Sequence, residues 1–220
     1  MLMDRFGYVH TVDKAVYEKN KETLTAENIS TINCVNISEL HIFTNKGMMF
    51  RFKVSDIPYG RLRDKGVPIE TVCGFDGTKE KAVLICDAKE FASKKLLFVT
   101  KTGLVKAVDS QEFSVTKKSI AATKLEKDEL VAVVPMEDTA SSVVLETTKG
   151  VFLRFPASDV PIKKKSALGA HGIKLGNKDT VKSAYEISDG ADAKIIYKSR
   201  ELCINRLKMS KRNETGVKQK

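Results

Sequence analysis

The sequence predicts an all-β fold of about five four-stranded units, and three observations support this class. Short apolar runs typical of strands alternate with polar turns along most of the 220 residues. A Thr-x-x-Gly turn lies between two such runs three times, at Gly47, Gly103 and Gly150. These glycines are 56 and 47 residues apart, a period typical of radial β-sheet arrays such as propellers. Four strands per repeat is the content of one propeller blade.

Each repeat begins with a predicted β-hairpin. The first strands are LHIFT (40–44), LLFVT (96–100) and VVLET (143–147), and the second strands are MMFRF, LVKAV and VFLRF, directly after the glycine. A three-residue hairpin loop needs its last residue in the left-handed region, which glycine adopts without steric cost. We therefore expect Gly47, Gly103 and Gly150 to close the same hairpin.

The remainder of each repeat follows one order. A polar turn comes first, in SDIP (55–58), DSQEF (109–113) and SDVP (158–161). A basic loop comes next, in RLRDK (61–65), TKKS (116–119) and KKKS (163–166). The third predicted strand is VPIETV (67–72), IAATKL (120–125) or HGIKL (171–175), and the fourth is AVLIC (82–86), LVAVV (130–134) or TVKSAY (180–185).

Two weaker copies flank the three clear ones. DRFGYVHTV (4–12) contains Gly7, and IIYKSRELCINRL (195–207) has Glu201 where a turn glycine is expected. Residues 14–31 fit either a loop or a short helix. We predict one domain over residues 1–220, with repeats near 4–39, 40–95, 96–142, 143–193 and 194–220, of which the first and last are degenerate.

Composition limits the classes of function. No apolar run reaches the roughly 20 residues that cross a membrane, and no signal peptide is evident, so we expect a cytoplasmic protein without membrane contact. The four cysteines form no CxxC pair and the three histidines are isolated, so we expect reduced thiols and neither a metal site nor a cofactor. A net charge of +10 favours nucleic acid as the partner.

The basic residues recur at one place in each repeat, in the turn after the hairpin. Equivalent loops of a radial array point the same way, so they predict a basic belt that suits a phosphate backbone. Residues 1–45 contain four Lys/Arg and six Asp/Glu, whereas residues 194–220 contain nine and two. The predicted DNA contacts are Lys46, Arg51, Lys53, Arg61, Arg63, Lys65, Lys101, Lys106, Lys117, Lys118, Lys149, Arg154, Lys163, Lys164, Lys165, Lys174, Arg206, Lys208, Lys211 and Arg212.

Other classes of function fit the sequence less well. Phe50, Phe52, Phe152 and Phe155 lie within strand-like runs, so we expect core packing and not base stacking. A protein-interaction propeller remains an alternative, although the absence of tryptophan excludes WD repeats and a scaffold does not explain the basic loops. A propeller hydrolase or lyase needs converging histidines or carboxylates, and neither such a set nor a nucleophile–base motif is evident.

The unit FTNKGMMFRFKVSDIP…GVPI resembles the repeat of the C-terminal domain of the A subunit of bacterial type IIA topoisomerases, DNA gyrase and topoisomerase IV. The resemblance runs from about residue 4 to 218. It implies a β-pinwheel, a propeller-like disc whose blades exchange strands, with duplex DNA bent around a basic outer rim regardless of sequence. It also implies as partners the N-terminal cleavage domain of the same subunit, with the catalytic tyrosine, and the ATPase B subunit.

One feature of gyrase subunits is missing. Their first blade carries a box reading Gln-Arg-Arg-Gly-Gly-Lys-Gly, whereas the corresponding DKAVYEKNKETLTAENIS (13–30) contains no arginine and no glycine. The chain therefore resembles topoisomerase IV more than gyrase, and we expect a non-catalytic domain that binds and bends DNA for the cleavage core. A gyrase wrapping domain with a degenerate box is the alternative.

Overall fold

The computed structural model describes residues 1–219, which form two compact units. Unit 1 contains Met1–Thr44, Met48–Ala92 and Thr116–Ile120; unit 2 contains Asn45–Gly47, Ser93–Val115 and the residues from Ala121 onward. The strands are β1 (Leu2–Asp4), β2 (Tyr8–His10), β3 (Asn28–Thr31), β4 (Glu39–Thr44), β5 (Met48–Lys53), β6 (Val67–Pro68), β7 (Ala82–Asp87), β8 (Lys95–Thr100), β9 (Leu104–Asp109), β10 (Ser119–Ala121), β11 (Leu130–Met136), β12 (Ala140–Thr147), β13 (Val151–Pro156), β14 (Ala170–His171), β15 (Val181–Ser188), β16 (Lys194–Tyr197), β17 (Arg200–Cys203) and β18 (Val217–Lys218). The helices are short: α1 (Lys14–Lys19), α2 (Lys21–Glu27) and α3 (Ile69–Cys73).

The strands form four-stranded antiparallel sheets, which confirms the predicted all-β class. Unit 1 contains the sheets β3-β1-β2-β6 and β10-β5-β4-β7. Unit 2 contains β11-β8-β9-β14, β15-β12-β13-β18 and the two-stranded β16-β17. Four complete sheets are present where about five were expected, since the fifth repeat forms only the two-stranded β16-β17 sheet and adds β18 to the sheet of the fourth repeat. Within the described chain, no helix is long and apolar enough to cross a membrane.

In each complete sheet, the edge strand that pairs with the second hairpin strand comes from the following repeat. β6 follows the β4–β5 hairpin in sequence but pairs with β2, with Val9 opposite Val67. In the same way β14 pairs with β9, and β18 pairs with β13. Placing the third strand in the sheet of its own repeat was thus wrong, and the strand exchange implied by the family resemblance is present. VPIETV also contains only a two-residue strand, because α3 begins at Ile69.

Apolar side chains on one face of the hairpins build a core in each unit. In unit 1, Leu40, Ile42, Phe50 and Phe52 pack together, each at most 9% exposed. In unit 2, Leu97, Val143, Leu153 and Phe155 form the equivalent cluster. Phe152 is also buried, so the expectation that these phenylalanines belong to the core is confirmed.

The degenerate repeats differ from their predicted form. The β16–β17 turn is the pair Lys198-Ser199, both with positive φ, and Glu201 lies inside β17 opposite Ile196. The turn therefore needs no glycine at position 201. Residues 14–31, for which loop and helix both remained open, form α1, α2 and β3.

Candidate nucleic-acid interface

Three crossing segments carry the chain from one hairpin to the preceding sheet, and they are residues 58–66, 161–169 and 208–216. Each follows a single turn of 3-10 helix, at Val54–Asp56, Ala157–Asp159 and Ile204–Arg206. Each then runs parallel to the second hairpin strand of the sheet that it joins, through the bridges Thr11↔Tyr59, Ala107↔Ile162 and Arg154↔Met209. These positions lie four residues after Gly7, Gly103 and Gly150, so the three segments are equivalent.

Backbone hydrogen bonds fix the start of each crossing segment. The Ala107 N–H donates to the Pro161 carbonyl at 2.9 Å, and the Lys163 N–H donates to the Ala107 carbonyl at 2.8 Å. The same pair of bonds surrounds Tyr59, and the Ser210 N–H donates to the Arg154 carbonyl at 2.9 Å. The basic loops are therefore attached to rigid strands.

Glycines let the crossing segments return to the sheet. Gly66 has φ +75°, and a Cβ there would lie 2.2 Å from the Val9 carbonyl oxygen. At Gly216, with φ +69°, the corresponding distance to the Phe152 oxygen is 2.6 Å. Sequence reasoning missed these residues, although each directly precedes a third strand. The turn glycines Gly47, Gly103 and Gly150 also have positive φ, as the hairpin loop requires.

Lys106 does not lie at the surface, which corrects its predicted place among the DNA contacts. Its side chain is buried at 2% exposure, and its Nζ donates to the carbonyls of Lys164, Lys165 and Ala167 at 3.2, 2.8 and 2.8 Å. Burial lowers the pKa of Lys106 to about 8, against the opposing effect of nearby Glu112. Lys106 therefore stabilises the 161–169 segment from within.

The register explains this correction. Lys106 pairs with Phe98 and lies three residues after its turn glycine, the position that Phe50 and Leu153 occupy in their hairpins. Arg51 and Arg154 lie four residues after theirs. Because successive strand residues point to opposite faces, Lys106 points to the other face of its sheet.

Arg51 and Arg154 are half-buried and engaged within the fold. The Arg51 guanidinium contacts the Glu39 carboxylate. Burial raises the pKa of Glu39, but hydrogen bonds from Arg51 and His41 outweigh it and keep this pKa below its ordinary value. Arg154 donates from Nε to the Ser142 hydroxyl at 2.9 Å and from its Nη1 to backbone carbonyls of residues 205 and 207. Both arginines therefore have structural roles.

Three further predicted contacts brace the crossing segments that carry them. The Lys163 Nζ donates to the Leu168 carbonyl at 3.0 Å, and the Lys165 Nζ donates to the Glu112 carbonyl at 2.7 Å. The Arg212 Nε donates to the Asp159 carbonyl at 2.9 Å. All three side chains are partly exposed, but these hydrogen bonds to backbone carbonyls fix where their charged groups lie.

The hairpin-turn lysines are exposed but paired. The Lys46 and Lys101 ammonium groups lie 2.5 and 3.8 Å from Glu129, and the Lys149 Nζ donates to the Asn177 carbonyl at 2.5 Å. Lys53 is exposed at the end of β5, and the Lys65 ammonium lies 4.2 Å from the centre of the Tyr8 ring.

The other predicted contacts form an exposed set. These side chains make no hydrogen bond or ion pair with another residue of the described range 1–219. They are Arg61, Arg63, Lys117, Lys118, Lys164, Lys174, Arg206, Lys208 and Lys211. Exposed cations without a carboxylate partner are the groups that phosphates can engage without breaking an internal ion pair.

Unit 2 brings some of these cations together. The Lys174 N–H donates to the Glu214 carbonyl at 2.9 Å, which places Lys174 beside the 208–216 segment. The equivalent contact joins the Lys124 N–H to the Lys165 carbonyl at 3.2 Å. Lys124 is exposed, pairs with Glu126 at 3.2 Å, and was not among the predicted contacts, although Lys174 occupies the equivalent position.

The third repeat departs from this arrangement. The Arg51 N–H donates to the Lys118 carbonyl at 2.9 Å, and β10 begins at the next residue. The predicted basic loop TKKS is therefore not equivalent to the other two, because the chain enters its strand without a loop. Lys117 and Lys118 are nevertheless exposed.

Comparison with known proteins gives one consistent family. The sequence model described as "DNA gyrase C-terminal domain, beta-propeller" matches residues 39–69, 94–135 and 142–188. The chain is 30% identical over 196 residues to the DNA gyrase A protein of Helicobacter pylori, covering 83% of this chain and 24% of that protein. It is 34% identical over 161 residues to the Chlamydia pneumoniae counterpart, covering 71% and 19%. The chain thus spans about a quarter of the length of such relatives.

Solved structures agree on the fold. The C-terminal domain of DNA topoisomerase IV superposes with a TM-score of 0.81 at 23% identity, covering 98% of this chain and 70% of that one. The E. coli ParC C-terminal domain gives a TM-score of 0.71 at 15% identity, covering 99% and 92%. With the family match over more than half of the residues, the chain belongs to the DNA gyrase C-terminal domain family, the β-propeller domain of type IIA topoisomerase A subunits.

Proposed function

We propose that this chain is a non-catalytic domain that binds and bends duplex DNA for the A subunit of a topoisomerase IV. One observation carries the proposal: exposed, unpaired Lys and Arg side chains recur on equivalent crossing segments, at Arg61, Lys164 and Lys211. Such a pattern suits contact with a phosphate backbone at several points. Neither an internal ion pair nor a core contact accounts for these three side chains.

Phosphates are the expected target of these cations. Phe50, Phe152 and Phe155 are buried and therefore cannot stack on bases. Lysine ammonium groups on exposed loops engage phosphates as point charges and carry no sequence information. Binding should therefore be largely indifferent to sequence and strongly dependent on salt.

The proposed partners follow from the family. The N-terminal cleavage domain of the same subunit would contribute the catalytic tyrosine, and the B subunit would hydrolyse ATP. This chain would then present DNA to the cleavage core without a cofactor of its own. In the described part of the chain, no three His, Cys, Asp or Glu side chains are placed to hold a metal ion.

The choice of topoisomerase IV over gyrase rests on residues 13–30. They form α1, α2 and the start of β3 and contain no arginine and no glycine. Without a basic box in the first repeat, DNA should bend without a full chiral turn. Relaxed plasmid religated with saturating protein should therefore keep a linking number close to that of the protein-free control. A large positive shift would favour the gyrase alternative.

A salt titration tests the DNA-binding proposal. If about six phosphates are neutralised, log K should fall with log salt at a slope of about −5. Replacing Lys164 and Lys211 with glutamine should make this slope shallower by about 2, whereas the matched changes at Lys14 and Lys19, in the acidic first region, should leave it unchanged. A wild-type slope near zero would refute phosphate binding.

A further inference from the structure

The three crossing segments share a second feature, an exposed apolar side chain at one equivalent position. Tyr59, Ile162 and Met209 are 70%, 64% and 43% exposed. Each occupies the bridge position of its segment, opposite residue 11, 107 or 154. Single exposed apolar residues are common on protein surfaces. Three at the same position of a repeat need a shared explanation.

A basic residue follows each of them at the same distance. Arg61, Lys164 and Lys211 lie two positions after Tyr59, Ile162 and Met209, and all three are exposed. Each crossing segment thus carries an exposed apolar side chain and an exposed cation two residues apart.

The apolar member is held rigidly. The backbone hydrogen bonds on both sides of Ile162 join its neighbours to Ala107 at 2.9 and 2.8 Å. On one side of Met209, the Ser210 N–H is bound to Arg154. Because the backbone at these positions is already ordered, a partner that covers them costs side-chain entropy but little backbone entropy.

We propose that these apolar–basic pairs contact the minor groove of bent DNA, with the cation on a phosphate and the apolar side chain against the sugars and base edges. This inference rests on the proposed DNA binding and assigns it a second kind of contact. Charge complementarity selects the occupant, because the cation beside each apolar group attracts a polyanion. Proteins that bend DNA use apolar side chains in this way, inserting them at the minor groove where the duplex curves.

The pairs are not equal. The Tyr59 hydroxyl donates to the Asp13 carboxylate at 2.6 Å, so an anion lies close to the first pair. Ile162 borders a groove that is also lined by Asp109, Glu137 and Asp138, whereas no described contact places a carboxylate against Met209. Both residues belong to unit 2. The third repeat has Ser119 at the equivalent position and no pair. Unit 2 should therefore supply most of the apolar contact.

The test compares apolar, charged and control variants of the full chain on a duplex of about 40 base pairs, long enough to bend measurably. Ile162→Ser with Met209→Ser should weaken binding about 25-fold, fivefold for each residue, while the salt slope stays that of wild type. Lys164→Gln with Lys211→Gln should weaken binding and also reduce the slope. Ile196→Ser removes a side chain 74% exposed on the β16 strand and should change neither.

Energy transfer between dyes at the duplex ends gives the second measurement. The apolar double variant, at saturating protein, should transfer less energy than wild type because the bend relaxes. Wild-type affinity and transfer in that variant would overturn the inference while leaving phosphate binding intact. The inference would also be overturned if Ile196→Ser weakened DNA binding as much as the apolar double variant. The same holds if the double variant lost self-association and kept its affinity for DNA. Failure of wild type to bind duplex would instead reject the proposed function itself.

Discussion

Replacing Lys106 with methionine should loosen a basic loop that the side chain supports from inside the protein. Methionine has a similar length and apolar character but offers no donor. The change removes three hydrogen bonds from the ammonium group to the carbonyls of Lys164, Lys165 and Ala167. A hydrogen bond to a charged group contributes about 1.5–3 kcal/mol in proteins.

The net effect is smaller than the sum of the three bonds. Returning a buried ammonium to water on unfolding offsets part of the loss, and the carbonyls lie at a partly exposed loop where water can replace the donor. We therefore expect a loss of about 2–3 kcal/mol in the free energy of unfolding. For a domain of this size, that lowers Tm by about 5–10 °C.

Thermal unfolding and hydrogen exchange together test this reasoning. The amides of residues 163–168 should exchange faster in Lys106→Met, and DNA affinity should fall although Lys106 does not face solvent. Lys124→Met is the matched control, because Lys124 is exposed and pairs with Glu126 at the surface, and it should change stability by less than about 0.5 kcal/mol. A Lys106→Met variant with wild-type Tm and unchanged exchange would refute the supporting role.

Three further outcomes are expected. Burial lowers the pKa of Lys106 from 10.5 to about 8 in the folded chain, so between these pH values the unfolded chain binds more protons than the folded chain. The free energy of unfolding of wild type should therefore rise relative to that of Lys106→Met as pH increases from 8 to 10.5, measured by urea titration. A constant difference between the two would contradict the lowered pKa. Gly216→Ala should cost more than about 2 kcal/mol in Tm-derived stability, because φ is +69° and the Cβ meets the Phe152 oxygen, whereas Gly176→Ala meets no atom within 4 Å and should be nearly neutral. The Cys86 thiol, whose pKa burial raises to about 12, should react with a thiol reagent at pH 8 only after unfolding, so rapid labelling of Cys86 in the native chain, located by peptide mass spectrometry, would disagree.

Local signals made the hairpins predictable. The turn at Gly47 is specified by a glycine in a left-handed position between two apolar runs, and this chemistry lies within a few residues. The exposed cations on the 58–66 and 208–216 segments could also be predicted, because these segments contain no strand-like run of apolar residues that would bury a lysine or arginine. The exposure of these cations was therefore predictable from the sequence, and their contact with DNA stays a prediction.

Non-local pairing was not predictable in the same way. The partner of β14 is β9, from the preceding repeat, and nothing within HGIKL distinguishes that sheet from its own. The placement of Lys106 failed for a related reason. Four consecutive residues of β9 from Val105 are buried, so no alternation of apolar and polar residues fixed which face the lysine occupies.

The exchanged strands make completion of each sheet depend on chain that is synthesised later. The sheet of β4 and β5 acquires its outermost strand only when β10 at Ser119–Ala121 has emerged, more than 30 residues after β7 ends at Asp87. Until then β5 presents an unpaired edge, which another chain could join. During translation each hairpin would therefore expose an unpaired strand edge until the following repeat has been synthesised, and two nascent chains could exchange strands at that edge.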